Sequence, residues 1–267
     1  MPSFRIRIAR RYVQVSASRN KQLVYSGKFD AWLFDLDGVI TDTASVHAAA
    51  WKSTFDRYLK EVSERSGKPF EPFEINPDYY RYVDGKPRYD GVDSFLRSRG
   101  IFLEWGHPND TPDRETVCGL GNRKNGIFNE VLKFQGVEVF RSSVSLIREL
   151  RAKGRYIAVV TSSKNCAAVL EAAGIQDLFD ARVDGNVAAE KQLAGKPAPE
   201  TYEEAVRMLG VPRERSVVIE DAISGVRAGR AGGFGLVIGV ARGDDPELLR
   251  ESGADVVVRD LAELSLV

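Results

Sequence analysis

The chain has 267 residues, of which 43% are hydrophobic and 28% are charged, and its formal net charge at pH 7 is +0. This length and hydrophobic content allow one large domain, or a core domain with a smaller companion. The zero net charge gives no overall attraction for nucleic acid or for anionic membrane surfaces, and no apolar run in the sequence has the length of a membrane span. We therefore predict a globular protein with neither nucleic acid nor membrane as a partner.

Residues 1–29 differ from the rest of the chain because they contain seven basic residues and no acidic one. An arginine-rich, acid-poor start is typical of a transit peptide, but Phe4, Ile6 and Ile8 also alternate with polar residues as in a short strand. We favour a basic, loosely ordered N-terminal extension over a targeting signal.

The two cysteines, Cys118 and Cys166, are isolated and lack the spacing of a metal site. Two isolated cysteines whose spacing shows no disulfide pattern are typical of a protein in a reducing compartment. We therefore expect a cytoplasmic protein with no disulfide.

Residues 31–34 form an apolar run typical of a buried strand, and Asp35 and Asp37 follow it. Residues two apart on a strand point to the same side, and open α/β sheets place their sites at the carboxyl ends of strands. Both carboxylates are therefore expected to face one small volume, with a sharp turn at Gly38. Such a pair can bind Mg²⁺. Alternatively, one aspartate can act as the nucleophile while the other transfers protons. Taken alone, the pair is more often a simple acidic turn.

Residues 44–62 have the spacing of an amphipathic helix with an apolar and aromatic stripe. The stripe consists of His47, Trp51, Phe55, Tyr58 and Val62. No run comparable to residues 31–34 follows before residue 138, so we predict a mostly helical region with loops around 67–77 and 106–113.

From residue 138 onward, predicted strands and helices alternate. The strands are at 156–160, 217–219, 236–240 and 255–258, and the helices are at 144–151, 167–173, 199–209 and 223–231. This alternation predicts a parallel, doubly wound, Rossmann-like α/β sheet with right-handed crossovers. Residues 30–43 and 138–267 then form the α/β catalytic core, and residues 44–137 form an inserted helical cap domain.

Three further fragments lie at or near the ends of predicted strands. Thr161 follows the strand at 156–160, Lys196 lies in a proline-stiffened loop, and Glu220 and Asp221 follow the strand at 217–219. A hydroxyl, a lysine and an acidic pair, in this order after Asp35 and its neighbours, resemble the four motifs of the haloacid dehalogenase superfamily.

Within that superfamily, the chain resembles the β-phosphoglucomutase family more closely. The resemblance rests on the stretch DLDGVITDTASVH at 35–47, TSSKN at 161–165, GKPAP at 195–199 and the acidic pair at 220–221. It extends over most of the chain from residue 30 to the C-terminus and is thinner between residues 53 and 137.

The resemblance implies a Mg²⁺-dependent phosphosugar mutase that converts β-glucose 1-phosphate to glucose 6-phosphate through an aspartyl-phosphate and a 1,6-bisphosphate. It implies that Asp35 is the nucleophile and that Asp37 is the acid–base residue. Thr161 and Lys196 are implied to donate to the phosphoryl group in transfer. The implied Mg²⁺ ligands are Asp35, Asp37 through its main-chain carbonyl, Glu220 and Asp221.

The resemblance also implies a substrate-binding set in the cap and in the loop after the strand at 156–160. Arg88 and that loop are implied to hold the phosphate that is not being transferred, a second anion site that a mutase needs and a phosphatase does not. The implied set is Thr43, His47, Trp51, Gly85, Arg88, Lys124, Asn125, Ser162, Ser163, Lys164 and Asn165. Without the resemblance, His47 and Trp51 would be read as packing residues, Thr43 as a helix cap and the others as a solvated polar face.

Two other functions stay open. A sugar-phosphate phosphatase would use the same core residues, and the segments at 54–84, 103–118 and 184–195 are longer than in the family pattern, which leaves the sugar undecided. A non-catalytic binding module is disfavoured because every motif residue needed for turnover is present. The expected partner is a small-molecule sugar phosphate, and we expect a monomer.

Overall fold

The computed structural model describes residues 13–16, 21–242 and 246–267. These form two compact units, one from the described residues up to Asp42 together with Glu138–Val267, and the other from Thr43–Val137. Residues 1–12 and 17–20 lie outside the described residues, and with them the predicted alternation of Phe4, Ile6 and Ile8.

The strands are, in chain order, β1 (Val13–Ser16), β2 (Lys21–Val24), β3 (Ala31–Phe34), β4 (Tyr156–Val160), β5 (Ala181–Val183), β6 (Ser216–Glu220), β7 (Leu236–Val240), β8 (Val256–Val258) and β9 (Leu264–Leu266). The helices are α1 (Ala44–Ser66), α2 (Arg88–Ser98), α3 (Val117–Gln135), α4 (Arg141–Ala152), α5 (Cys166–Ala172), α6 (Gly185–Glu190), α7 (Glu200–Leu209), α8 (Ile223–Ala231) and α9 (Pro246–Ser252). A π-helical segment lies at Ile75–Val83, and 3₁₀ turns lie at Ser26–Lys28, Gln176–Leu178, Arg213–Arg215 and Leu261–Glu263.

The core unit is built on a six-stranded parallel sheet in the order β5-β4-β3-β6-β7-β8. Strands β3, β6 and β7 are buried throughout, as expected of parallel strands covered on both faces. Helices α7, α8 and α9 supply Tyr202, Val226 and Leu249 to the hydrophobic core against this sheet. The predicted doubly wound α/β fold is confirmed.

The central strand β3 pairs with β4 on one side and with β6 on the other, so that Leu33 lies opposite both Ala158 and Val218. Because the three strands are parallel and in close register, their carboxyl ends meet at one edge of the sheet. The residues at this edge are Asp35 after β3, Thr161 after β4, and Glu220 and Asp221 at the end of β6. This topology brings the sequence motifs together.

A second, small sheet joins the N-terminal region to the C-terminus. Strand β1 runs antiparallel to β2, which runs parallel to β9. The amide of Ser26 also donates to the carbonyl of Val267 at 2.9 Å, and Val24 and Phe29 are fully buried. The loose order predicted for residues 1–29 therefore does not hold for residues 13–16 and 21–29. The local sequence carries no signal of this pairing because the partner strand lies at the far end of the chain.

Several other elements were not predicted. Strand β5 has three residues, too few to show a pattern, and α6 begins where the Asp184 side chain accepts hydrogen bonds from the amides of Asn186 and Val187. Helix α9 was likewise not predicted.

The unit Thr43–Val137 is helical throughout its regular structure, as the sequence predicted. Its core is aromatic: the Phe55 ring centroid lies 4.3 Å from that of Phe95 and 5.1 Å from that of Phe73. The predicted stripe residues Trp51 and Tyr58 belong to the same buried cluster. Helix α1 ends at Ser66 and is capped by Gly67, which has a positive φ of 68°.

Among the described residues, no helix combines the length and hydrophobicity that crossing a membrane requires. Cys118 and Cys166 are both buried, and the structure does not join them in a disulfide. The cytoplasmic location inferred from them stays a prediction.

Candidate active site

Asp35 is the first residue after the central strand and is buried. Its amide donates to the Ile219 carbonyl of β6 at 2.9 Å, which continues the sheet pairing one residue further. The chain then turns at Gly38, whose φ is +86°, and the Gly38 amide donates to the carbonyl of Thr41 at 2.8 Å. A Cβ at position 38 would lie 1.7 Å from Oδ2 of Asp221, so a larger residue here would displace that carboxylate and strain the positive φ.

Asp35, Glu220 and Asp221 form a compact carboxylate cluster. Each offers one oxygen, and these oxygens all lie within 4.8 Å of one another. Asp35 and Glu220 are buried, and Asp221 is half-buried. Buried carboxylates this close repel each other unless positive charge is supplied, and their oxygens are the ligands that hard divalent cations prefer.

Lys196 supplies part of that positive charge. Its Nζ lies 2.5 Å from Asp35 Oδ1, 2.5 Å from Glu220 Oε1 and 3.1 Å from the carbonyl oxygen of Val160. An ammonium has three hydrogens, and each has an acceptor here. Burial disfavours the charged form of Lys196 and so lowers its pKa. The attraction of the Asp35 and Glu220 carboxylates outweighs this effect, and the net result is a raised lysine pKa. Burial also raises the pKa of Asp35, against the attraction of the Lys196 ammonium.

Thr161 follows β4 and lies beside Asp37. The Thr161 hydroxyl donates to Asp37 Oδ2 at 3.4 Å and accepts from the Ser163 amide at 3.1 Å. The Thr161 amide donates to the carbonyl of Val183 in β5. The structure therefore brings together the predicted acid–base residue and the predicted hydroxyl donor. The role of the Asp37 carbonyl as a metal ligand stays a prediction.

The loop after Thr161 is held in place by the start of α6. The amide of Gly185 donates to the Ser163 carbonyl at 3.0 Å, and the Asn186 side-chain amide donates to the Lys164 carbonyl at 2.9 Å. The Asn165 amide donates to the Ser163 hydroxyl. The predicted residues of this loop, at 162–165, therefore share one ordered segment in the core unit.

In the helical unit, His47, Trp51 and Lys124 lie together. The Lys124 ammonium contacts His47 Nδ1 and lies 5.1 Å from the centroid of Trp51. The His47 ring stacks on Phe128 with a centroid distance of 3.9 Å. Lys124 is buried, and a buried ammonium against aromatic faces and an imidazole is a costly arrangement for packing alone.

Arg88 and Asn125 also lie together in this unit. The Arg88 guanidinium donates through Nη2 to Asn125 Oδ1 at 2.7 Å and through Nη1 to Asn122 Oδ1 at 3.4 Å. Burial lowers the pKa of Arg88 from its ordinary value. The guanidinium is therefore partly desolvated. Its orientation is set by two asparagine side chains, which are neutral and so do not cancel its positive charge.

Two predicted substrate-binding residues of the helical unit remain, Gly85 and Thr43. Gly85 has a positive φ of 68°, in the turn before α2. Thr43 is buried and accepts the His47 amide on its carbonyl at 2.9 Å, but its side chain does not cap α1. The capping role that the sequence left open for Thr43 is therefore not seen.

Tyr202 is a site residue that the sequence analysis missed. Its hydroxyl donates to Glu220 Oε1 at 2.7 Å, and the residue is fully buried. Burial, and then the Glu220 carboxylate, raise the pKa of Tyr202 well above its ordinary value. A tyrosine on an apolar helical face ordinarily predicts packing, so no local signal marked it.

Residues 29–233 match the model of the haloacid dehalogenase-like hydrolase family. The chain is 49% identical over 249 residues to a β-phosphoglucomutase of Mycobacterium bovis, covering 92% of this chain and 95% of that protein. It is 31% identical over 237 residues to a β-phosphoglucomutase of Bacillus subtilis, covering 88% and 92%. A crystal structure of β-phosphoglucomutase from Clostridium difficile matches with a TM-score of 0.70 at 25% identity, over 89% of this chain and 93% of that one.

Proposed function

The chain belongs to the haloacid dehalogenase-like hydrolase family and is a phosphotransferase resembling the β-phosphoglucomutases, and we propose that it converts β-glucose 1-phosphate into glucose 6-phosphate through β-glucose 1,6-bisphosphate. The observation that carries phosphoryl transfer in this proposal is the buried Lys196 ammonium, shared by Asp35 and Glu220 within the carboxylate cluster. A nucleophile, a fixed positive charge and a set of metal ligands in one place are what transfer of an anionic phosphoryl group requires.

The carboxylate cluster fits Mg²⁺. Its three carboxylates outnumber the one ammonium among them by two, so a divalent cation balances the charge. In the proposal Asp35, Glu220, Asp221 and the Asp37 carbonyl hold the ion, as oxygen ligands that suit a hard cation. When bound, Mg²⁺ supplies positive charge that reduces the repulsion between the nucleophile and the phosphate.

The core residues then divide the chemistry. The Asp35 carboxylate attacks phosphorus, forming the aspartyl-phosphate as the bond from phosphorus to the sugar oxygen breaks. Asp37 gives its proton to the departing oxygen and later removes one from the hydroxyl that accepts the phosphoryl group. Lys196 and Thr161 donate to the phosphoryl oxygens during both transfers. The 3.4 Å contact between Thr161 Oγ1 and Asp37 Oδ2 supports this shared position.

The residues of the helical unit support a mutase over a phosphatase. A mutase must bind a sugar bisphosphate in two orientations, so it needs a second anion site. In the proposal Arg88, oriented by Asn125, binds the phosphate that is not being transferred. The other proposed substrate-binding residues are Thr43, His47, Trp51, Gly85, Lys124, Asn125, Ser162, Ser163, Lys164 and Asn165.

A paired assay tests the proposal. Formation of glucose 6-phosphate is followed with a coupled dehydrogenase, and release of inorganic phosphate is measured in the same reaction. We expect Mg²⁺-dependent formation of glucose 6-phosphate, stimulated by sugar bisphosphate, with little free phosphate. Phosphate release from many sugar phosphates with negligible glucose 6-phosphate would instead assign a phosphatase. Absence of both activities in a protein that binds Mg²⁺ would assign a binding module.

The proposed enzyme acts as a monomer on a small-molecule sugar phosphate. Light scattering coupled to size-exclusion chromatography tests the first part, and a mass of about 29.6 kDa is expected.

A further inference from the structure

Tyr202 is placed at the carboxylate cluster by the first turn of α7. The helix begins at Glu200, shortly after the loop that carries Lys196, and so returns the tyrosine ring toward Glu220. The Tyr202 hydroxyl donates to Glu220 Oε1 at 2.7 Å, and both residues are 0% exposed. The contact is therefore a buried hydrogen bond with no solvent to compete for either partner.

The Glu220 carboxylate is held by three donors. Oε1 accepts from the Tyr202 hydroxyl and from Lys196, and Oε2 accepts from the amide of Ala222 at 3.2 Å. Gly225 allows the carboxylate its position, since a Cβ there would lie 1.8 Å from Oε1. The orientation of this carboxylate is thus set from several sides.

The two side chains that donate to Glu220 differ in the number of other acceptors that they have. Lys196 divides its three hydrogens among Glu220, Asp35 and the Val160 carbonyl. A tyrosine has one hydroxyl hydrogen, and the Tyr202 hydrogen points to Glu220. Of these two side-chain donors, Tyr202 is therefore the one whose hydroxyl hydrogen serves Glu220 alone.

We propose that Tyr202 is a positioning residue that holds the Glu220 carboxylate in the orientation needed to bind the divalent cation. The inference rests on the proposed function insofar as that function places a cation on the carboxylate cluster. Tyr202 acts through Glu220 and touches neither substrate nor cation. Hydrogen-bond partners of metal-binding side chains typically account for roughly ten- to a hundredfold in metal affinity.

Packing by the tyrosine ring is separable from the role of its hydroxyl. The ring lies at 70° to that of Phe234 with centroids 5.9 Å apart, and its centroid lies 5.1 Å from Lys196 Nζ. Tyr202→Phe keeps both contacts and removes only the hydrogen bond. A role in packing alone therefore predicts no change in metal affinity for this variant.

The test is isothermal titration of Mg²⁺ into the full-length, substrate-free protein. We expect Tyr202→Phe to raise the Mg²⁺ Kd roughly ten- to a hundredfold. The matched control is Tyr58→Phe, because Tyr58 is also buried (2% exposed) and its hydroxyl also donates to a glutamate, Glu115, at 2.9 Å. Tyr58 lies in the helical unit, so its variant should keep the wild-type Kd.

A second pair of variants tests whether Tyr202 acts through Glu220. In a Glu220→Gln background, adding Tyr202→Phe should change the Mg²⁺ Kd less than about twofold. The carboxylate through which Tyr202 is proposed to act is already absent from that background. A wild-type Kd in Tyr202→Phe, or an equal weakening with and without Glu220→Gln, would overturn the proposal.

These outcomes are distinct from failure of the proposed function. If the wild type binds Mg²⁺ and Tyr202→Phe weakens the binding, the role of Tyr202 stands even when no glucose 6-phosphate forms. If glucose 6-phosphate forms normally and Tyr202→Phe binds Mg²⁺ as the wild type does, only the role of Tyr202 fails. Absence of Mg²⁺ binding by the wild type overturns both.

Discussion

Gly38 and Asp221 lie so close that a side chain at position 38 would displace the Asp221 carboxylate: a Cβ on Gly38 would be 1.7 Å from Asp221 Oδ2. Gly38 also has a φ of +86°, which L side chains rarely adopt. The tight turn after Asp35 and the position of an acidic residue after β6 therefore depend on the same glycine. Residues distant in sequence constrain each other at the point where the cation is proposed to bind.

The first prediction follows from this contact. In Gly38→Ala, the Asp221 carboxylate has to rotate away from the new methyl group, so we expect at least about a tenfold loss of Mg²⁺ affinity and a corresponding loss of turnover. Titration calorimetry and the paired assay measure these. The control is Gly154→Ala, since Gly154 has a similar φ of +71° with nothing within 4 Å of its Cβ position. Both variants should lose about 1–3 kcal/mol of stability from backbone strain. An unchanged Mg²⁺ affinity in Gly38→Ala would show that Asp221 is not a ligand.

The second prediction separates the two aspartates. Asp35→Asn keeps the size of the side chain but removes the attacking charge, so no phosphoenzyme should form. Asp37→Asn keeps the nucleophile and loses proton transfer, and turnover should fall by about 10²–10⁴-fold. Mass spectrometry of the protein trapped with acetyl phosphate locates the modified residue. A phosphoryl group on any residue other than Asp35 would contradict the assignment.

The third prediction concerns stability. Lys196→Met removes the ammonium that Asp35 and Glu220 share, leaving two buried carboxylates without it. We expect a loss of about 3–5 kcal/mol in urea unfolding with EDTA present, and partial recovery with Mg²⁺, which supplies replacement charge.

A surface lysine provides the comparison for that experiment. Lys153 is 39% exposed and lies 3.7 Å from Glu149 in an i,i+4 pair. Because exposed pairs contribute little, Lys153→Met should cost less than about 1 kcal/mol and should not respond to Mg²⁺. Equal losses for the two lysine variants would mean that the buried charges are compensated in another way.

The fourth prediction tests the second anion site. Loss of a charge-assisted contact costs about 1.5–3 kcal/mol, so Arg88→Ala should lower kcat/KM for the mutase reaction roughly ten- to a hundredfold. Hydrolysis of acetyl phosphate, which has no second anionic group or sugar for Arg88 to hold, should be nearly unchanged. Arg88→Lys should recover little, because a lysine cannot make the bidentate contact.

Arg97→Ala is the control for Arg88, since Arg97 lies on the same helix in an exposed pair with Asp93. Both activities should be unaffected by it. A parallel fall of both activities in Arg88→Ala would assign Arg88 a structural role. No fall in either would remove the main support for a mutase.

The amino-acid sequence alone predicted five of the six strands of the parallel sheet and the residues proposed to react. The apolar runs that became β3, β4, β6 and β7 are local patterns, and a parallel sheet then places everything that follows β3, β4 and β6 at one edge. Asp35, Thr161 and the acidic pair at the end of β6 could therefore be predicted together, and the motif order identified Lys196 with them. Local hydrophobicity and chain order contain this information because strand burial depends mainly on residue type and position.

Only the tertiary structure decided how these groups share their hydrogen bonds. Tyr202 and Glu220 are 18 residues apart, and Arg88 and Asn125 are 37 apart, yet each pair is joined by a 2.7 Å hydrogen bond. Pairing of β2 with β9 likewise joins segments that are more than 200 residues apart in the sequence. A tyrosine on an apolar helix face or a short strand near a terminus looks the same in sequence whether or not a distant partner meets it. Such contacts depend on the packing of whole elements, which local residue preferences do not encode.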